Sequence, residues 1–138
     1  MIDTHDDEPR DELSGRIIGA AFEVMNVLGA GFLEKVYRRA LVRELHLVGL
    51  RAREEASFRV LYKGHLVGEY SADIVVEDRV VVELKCVERL GSVEVAQCIN
   101  YLKASGLSVA LVINFRKSRL ELKRVVNEFD QGESVGGA

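Results

Sequence analysis

Tryptophan is missing from the 138 residues, and proline occurs once, at Pro9. Cysteine is scarce too. Cys86 and Cys98 form no CxxC pair and no Cys/His cluster, which excludes a disulfide framework or zinc site and leaves both as small apolar fillers. The three histidines, His5, His46 and His65, lack ligand spacing and read as surface residues. No apolar run approaches the roughly 20 residues needed to cross a bilayer. The polar, acidic opening MIDTHDDEPRDE is neither a secretory signal nor a transit peptide, so the expected location is cytoplasmic, with no membrane partner. Gly29-x-Gly31 is too short for a phosphate loop, and nothing supports a catalytic triad.

A surplus of positive charge is also lacking. The formal net charge is −3, but the first twelve residues hold six acids against Arg10 alone, so residues 13–138 carry +2. That balance excludes a strong, sequence-independent duplex binder, which neutralises several phosphates at once. An enzyme that holds nucleic acid weakly remains compatible with it.

What is present is globular: 48% hydrophobic and 30% charged residues, rich in Leu, Val, Ile and Ala. Residues 1–12 read as a mobile acidic leader and 128–138 as a mobile tail, around one domain over 13–127. Ile17, Ala21, Val24 and Leu28 recur at helical spacing behind Ser14, the expected N-cap. After Gly29-Ala30-Gly31 a second helix is expected from about Phe32 to Val48. Its inward set would be Leu33, Val36, Tyr37, Ala40, Leu41, Leu45 and Val48, with Gly49 as the stop.

The middle alternates as β structure: Ala56, Phe58, Val60 and Tyr62, a Lys63-Gly64-His65 turn, then Leu66 through Tyr70, Ala72, Ile74 and Val76. Glu77-Asp78-Arg79 turns the chain into the apolar run Val80–Val87, patterned like a central strand. Ser92 to Ser105 reads as a helix stopped by Gly106, with Val95, Ile99 and Leu102 as its core stripe. Ser108–Phe115 is another buried strand, and Leu120–Val126 an edge strand. The order ααβββαββ implies an α/β mixed sheet flanked by helices, with one parallel pair crossed over through a helix.

Chemistry concentrates at Asp73 and Glu83-Leu84-Lys85. Residues two apart on a strand share a face, so Glu83 and Lys85 point together while Leu84 points away. The Glu77–Arg79 turn makes the two strands antiparallel and brings Asp73 towards Glu83. Two carboxylates and the Leu84 carbonyl are hard oxygen donors suited to Mg²⁺ or Mn²⁺. Lys85 could position the attacking water or steady charge on phosphate. The bland alternative is a same-face ion pair, yet burying three charges among Val and Ile is costly unless they pair or hold an ion. Glu34 shares a helix face with Tyr37 and Leu41, and its plain role is compensation of the helix N-terminus. Gln97 and Tyr101 flank the stripe of the later helix, where they could touch phosphate or water or form an ordinary polar border. Arg116, Lys117, Arg119, Lys123 and Arg124 form a basic group that reads first as a solvated edge.

Together these residues resemble the GxxExxY family. Gly31-Phe32-Leu33-Glu34-Lys35-Val36-Tyr37-Arg38-Arg39-Ala40-Leu41 matches its signature, and Asp73, Glu83-Leu84-Lys85 and Ala96–Lys103 match its later blocks, over about Leu13 to Val126. That family looks like a branch of the PD-(D/E)XK nuclease superfamily, which implies a restriction-endonuclease-like fold. The resemblance implies Asp73 and Glu83 as metal-binding carboxylates, Lys85 as catalytic lysine, Glu34 as accessory acid and Gln97 as the polar residue of the later helix. Tyr37 and Tyr101 are signature positions, expected to bind substrate or support the site. Where many members have His and Gly-Pro-Gly, this chain has Met25-Asn26 and Gly29-Ala30-Gly31. The implied activity is Mg²⁺- or Mn²⁺-dependent hydrolysis of phosphodiesters in DNA or RNA, within a repair or defence system. A non-catalytic module binding nucleic acid or protein on the same fold is the alternative, and a small-phosphoester hydrolase the third reading. So small a domain offers little surface for gripping a duplex, which makes a homodimer or a protein partner an expectation too.

Overall fold

The computed structural model describes residues 11–127. Residues 1–10 and 128–138, holding most of the expected leader and all of the expected tail, lie outside the described residues. Helix α1 (Glu12–Leu28) begins inside the stretch read as leader, because Asp11 caps it and accepts the Ser14 N–H at 2.7 Å. Ser14 is therefore not the cap; it is fully buried in the first turn. Helix α2 (Glu34–Leu47) buries Tyr37, Leu41 and Leu45, one residue per turn. Leu33, Val36 and Val48, expected inward, are exposed. Leu33 and Val48 sit just beyond the helix ends, and Val36 lies off the narrow stripe that meets the sheet.

Strands β1 (Ala52–Tyr62), β2 (His65–Val76) and β3 (Val80–Lys85), helix α3 (Ser92–Ser105), and strands β4 (Val109–Asn114) and β5 (Glu121–Val126) complete the order ααβββαββ. The sheet runs β1-β2-β3-β4-β5. Only β3 and β4, joined through α3, are parallel; the other neighbours are antiparallel. Strand β5 is an edge, as its half-polar sequence leads one to expect. Strand β3 stops at Lys85, two residues short of the expected Val87. The Asn114 side chain takes both the N–H and the carbonyl of Val87, drawing it out of the ladder.

Each face of the sheet carries its own core, as apolar strands covered on both sides require. Helices α1 and α2 pack over Ile74, Val76, Val82, Leu84, Leu111 and Ile113. Helix α3 packs over Ala72, Val75, Val81, Ala110 and Val112 with Cys98, Tyr101 and Leu102. The α3 stripe is thus rotated from the expected one. Ile99 is 38% exposed, while Tyr101 is buried because its hydroxyl has a polar partner inside. Among the described residues no helix is long and apolar enough to cross a membrane.

Candidate active site

The β2–β3 ladder runs from Val76↔Val80 to Ile74↔Val82 and ends there. One step further, Asp73 faces Glu83, and their side chains replace the backbone pairing. The Asp73 N–H donates to Glu83 Oε1 at 3.3 Å, and the Leu84 N–H donates to Asp73 Oδ2 at 2.8 Å. Each acid therefore has one oxygen fixed by a main-chain donor and the other turned to the site. Lys85 Nζ lies 3.7 Å from Glu83 Oε2, and the Tyr101 hydroxyl donates to that same oxygen at 3.4 Å. Val82 and Leu84 fill the α1/α2 core, so the strand alternation turns Glu83 and Lys85 to the opposite face. Asp73 and Lys85 side chains keep about a fifth of their surface exposed, at 21% each, so the group is open to solvent.

Sequence reasoning missed Arg38. It stands one turn after Glu34 on α2, a spacing that could have flagged it. Its Nη1 is 3.8 Å from Asp73 Oδ1, its Nε 3.3 Å from Glu54 Oε2 and its Nη2 3.4 Å from Glu55 Oε2. Glu55, between the Glu54↔Ile74 and Ala56↔Ala72 pairs of the β1–β2 register, has φ of 52°, a left-handed conformation uncommon for a residue with a side chain.

Excess negative charge dominates the electrostatics. Burial, then the Asp73 carboxylate, pushes Glu83 up to about 7 against the pull of the Asp73 N–H and Lys85. Burial raises Asp73 as well, opposed by the Leu84 N–H and by Arg38. Glu34, exposed at the start of α2, is raised by desolvation and then by the Asp73 carboxylate, and no hydrogen bond joins it to the pair. Burial and then Glu83 raise the Tyr101 hydroxyl, which stays protonated and a donor. A hard divalent cation suits such a surplus of buried carboxylate. Among the described residues no three His, Cys, Asp or Glu side chains converge on one point, so the carboxylates that meet there are those of Asp73 and Glu83.

Two expected residues make no hydrogen bond or ion pair with Asp73, Glu83 or Lys85. Tyr37 is fully buried, stacked on Phe115 with ring centroids 4.9 Å apart. Its hydroxyl donates to the Gly29 carbonyl at 2.6 Å and accepts the Phe32 N–H at 3.1 Å, so it holds the α1–α2 loop instead of facing substrate. That loop turns through Gly29 and Gly31, with φ of 73° and 117°, values that favour glycine. Gln97 is half-buried on α3 one turn before Tyr101 and makes no hydrogen bond among the described residues. Lys85 also lines a cleft of about 580 Å³ together with Phe32, Leu33, Glu34, Cys86 and Val87, a cleft that Asp73 and Glu83 do not themselves line.

No curated protein matches this sequence. Among solved structures, the crystal structure of an alkaline exonuclease from Laribacter hongkongensis is similar in fold. The TM-score is 0.51 at 12% identity, covering 93% of this chain and 77% of that one. Residues 11–125 match the sequence profile of the PD-(D/E)XK nuclease superfamily. With that match over nearly all the described residues, the restriction-endonuclease-like mixed sheet has its explanation: the chain belongs to the PD-(D/E)XK nuclease superfamily.

Proposed function

We propose that this chain, in the GxxExxY branch of the superfamily, is a divalent-metal-dependent nuclease that hydrolyses phosphodiester bonds in DNA. The observation that carries the reading is the meeting of Asp73, Glu83 and Lys85 where the β2–β3 ladder ends. Mg²⁺ and Mn²⁺ are the ions of choice, since such ions are held by one or two carboxylates, retained waters and substrate phosphate. Asp73 Oδ1, Glu83 Oε2 and the Leu84 carbonyl are the assigned ligands, with Glu34 acting through water. The ion, when bound, supplies Lewis-acid polarisation of the phosphodiester and lowers the pKa of an attacking water.

The chain's own residues do the rest. Lys85 donates to a non-bridging oxygen of the scissile phosphate and steadies charge as it builds there. The Tyr101 hydroxyl keeps Glu83 Oε2 oriented through its buried hydrogen bond. The amide of Gln97 is unpaired among the described residues and is assigned to orient the attacking water. Tyr37 supports the cleft wall through the Gly29–Phe32 loop.

Cleavage assays on single-stranded, duplex and structured DNA and RNA with Mg²⁺ or Mn²⁺ test this. Asp73→Ala and Lys85→Ala are each expected to lower the rate at least about 100-fold, the usual effect of removing one group that stabilises the transition state. Activity that survives both substitutions removes these residues from the reaction. One observation favours the second reading, a binding module on the nuclease fold: Arg38 already stands against Asp73 Oδ1. That reading expects no Mn²⁺ affinity, so calorimetric Mn²⁺ binding abolished in Glu83→Ala argues against it.

A further inference from the structure

The basic group near the end of the sequence does not act as one patch. Lys123 and Arg124 lie half-buried along β5, whereas Arg116, Lys117 and Arg119 sit exposed in the β4–β5 turn. Arg89, in the β3–α3 loop, joins Lys117 and Arg119 around a second hollow of about 380 Å³. The two hollows follow one another along the loops that leave the parallel strands. Lys85–Val87 and Phe115–Arg116 line the first, and Glu88–Arg89 and Lys117–Arg119 line the second. A shared floor holds them together: the Phe115 N–H donates to the Lys85 carbonyl at 2.8 Å, and Asn114 clasps Val87 from both sides. Ligands of open α/β sheets gather at this end of parallel strands.

We propose that these joined hollows form a groove for a single strand of nucleic acid, leading away from the scissile phosphate; the inference rests on the nuclease reading of the adjoining site. Arg89 and Arg119 have no hydrogen bond or ion pair among the described residues, and both line the second hollow. Arg116 and Lys117 share Glu88 at 3.6 and 3.5 Å, exposed pairs weak enough for phosphate to displace the carboxylate. At the other end, Phe32 is 49% exposed and lines the first hollow together with Lys85. Backbone-tracking cations beside an exposed aromatic ring are the combination that binds unpaired strands, phosphates to the cations and a base against the ring. Hollows of these volumes take ligands the size of a nucleotide or two. A duplex needs a broader basic face than a domain of +2 provides.

Fluorescence anisotropy with a labelled single-stranded oligodeoxynucleotide, in chelator so that no cleavage occurs, tests the groove. Each phosphate contact to a single strand adds about 0.7 to the slope of log affinity against log salt, so Arg89→Ala/Arg119→Ala should lower it by about 1.4. Between about 50 and 200 mM salt, the wild type then loses roughly sevenfold more affinity than the double variant. Arg39→Ala/Arg43→Ala, the same charge change on the exposed side of α2, should leave the slope unchanged. Phe32→Ala should weaken the single strand by about tenfold and leave a blunt duplex unaffected. Equal slopes for the two double variants, or a blunt duplex that binds as well as the single strand and loses as much in Phe32→Ala, overturn the groove. The two readings fail separately. Metal-dependent cleavage lost in Asp73→Ala, with equal slopes for both double variants, keeps the nuclease and removes the groove. Slopes that depend on Arg89 and Arg119 without any cleavage keep the groove and remove the nuclease.

Discussion

At Glu83 a single carboxyl carries two costs, removal from water and proximity to Asp73, and one consequence can be measured without any metal. Its ordinary value of 4.5 is pushed up to about 7 in the folded chain. Between those two values the folded state holds a proton that the unfolded state has released, so stability falls as pH rises through that window. The loss is complete above about pH 7 and absent below about 4.5. Glu83→Gln keeps an oxygen for the Asp73 N–H and removes the charge, so in chelator the variant should exceed the wild type by about 2 kcal/mol at pH 8. The advantage should shrink towards nothing near pH 4.5, as followed by urea denaturation at both pH values. A difference between the two proteins that stays flat with pH contradicts burial of the ionised acid as its cause. Asp73 shifts in the same direction and deepens the trend without changing its sign.

Among the elements, the loops after β3 and β4 are held by one side chain. Asn114 is 3% exposed. Its Nδ2 donates to the Val87 carbonyl at 2.8 Å and to Glu121 Oε1 at 3.0 Å, while its Oδ1 accepts the N–H groups of Val87 and Arg116. Glu121 Oε1 also takes the Leu90 N–H at 3.0 Å. Removing that amide leaves several part-buried backbone groups without partners, each costing about 1–3 kcal/mol where water does not replace the bond. Asn114→Ala should therefore lose about 2–4 kcal/mol in chemical denaturation, and Asn114→Leu, which fills the space without the bonds, should recover little. Recovery to wild-type stability in Asn114→Leu would make Asn114 a matter of packing alone. Nothing in the sequence marked Asn114, a lone polar residue ending an apolar strand, because its partners lie 27 residues earlier and 7 later. The elements themselves were legible where periodicity and turn residues agreed: the Glu77–Arg79 turn, the Ser92–Ser105 helix before Gly106, and the paired strands at 80–85 and 109–114. What failed was rotation. Val36 and Ile99 fit helical stripes by spacing, but a helix lying on a sheet buries only the residues that meet it, and Tyr101 displaced Ile99 through its hydroxyl.

For the whole molecule, the site draws on elements from both sides of the sheet: Glu34 and Arg38 from α2, Asp73 and Glu83 from neighbouring strands, Tyr101 from α3. The same-face pairing of Glu83 with Lys85 was readable from a period of two, and Asp73 from the turn between its strands. Arg38 was not, since only the fold brings Glu54, Glu55 and Asp73 around it. Because a ligand here engages residues anchored in both cores, it binds the folded chain and not the unfolded one. Its free energy therefore adds to global stability. Mn²⁺ at 100 times its dissociation constant should contribute about 2.7 kcal/mol. In a domain of this size that corresponds to a rise of roughly 8–14 °C in Tm. The rise should disappear in Glu83→Ala and in Asp73→Asn, and persist in Arg89→Ala/Arg119→Ala, whose side chains lie in the second hollow. Differential scanning calorimetry at several Mn²⁺ concentrations separates the cases. A Tm that climbs equally in wild type and Glu83→Ala places the ion elsewhere on the surface and ends the assignment of this acidic pair as its ligands.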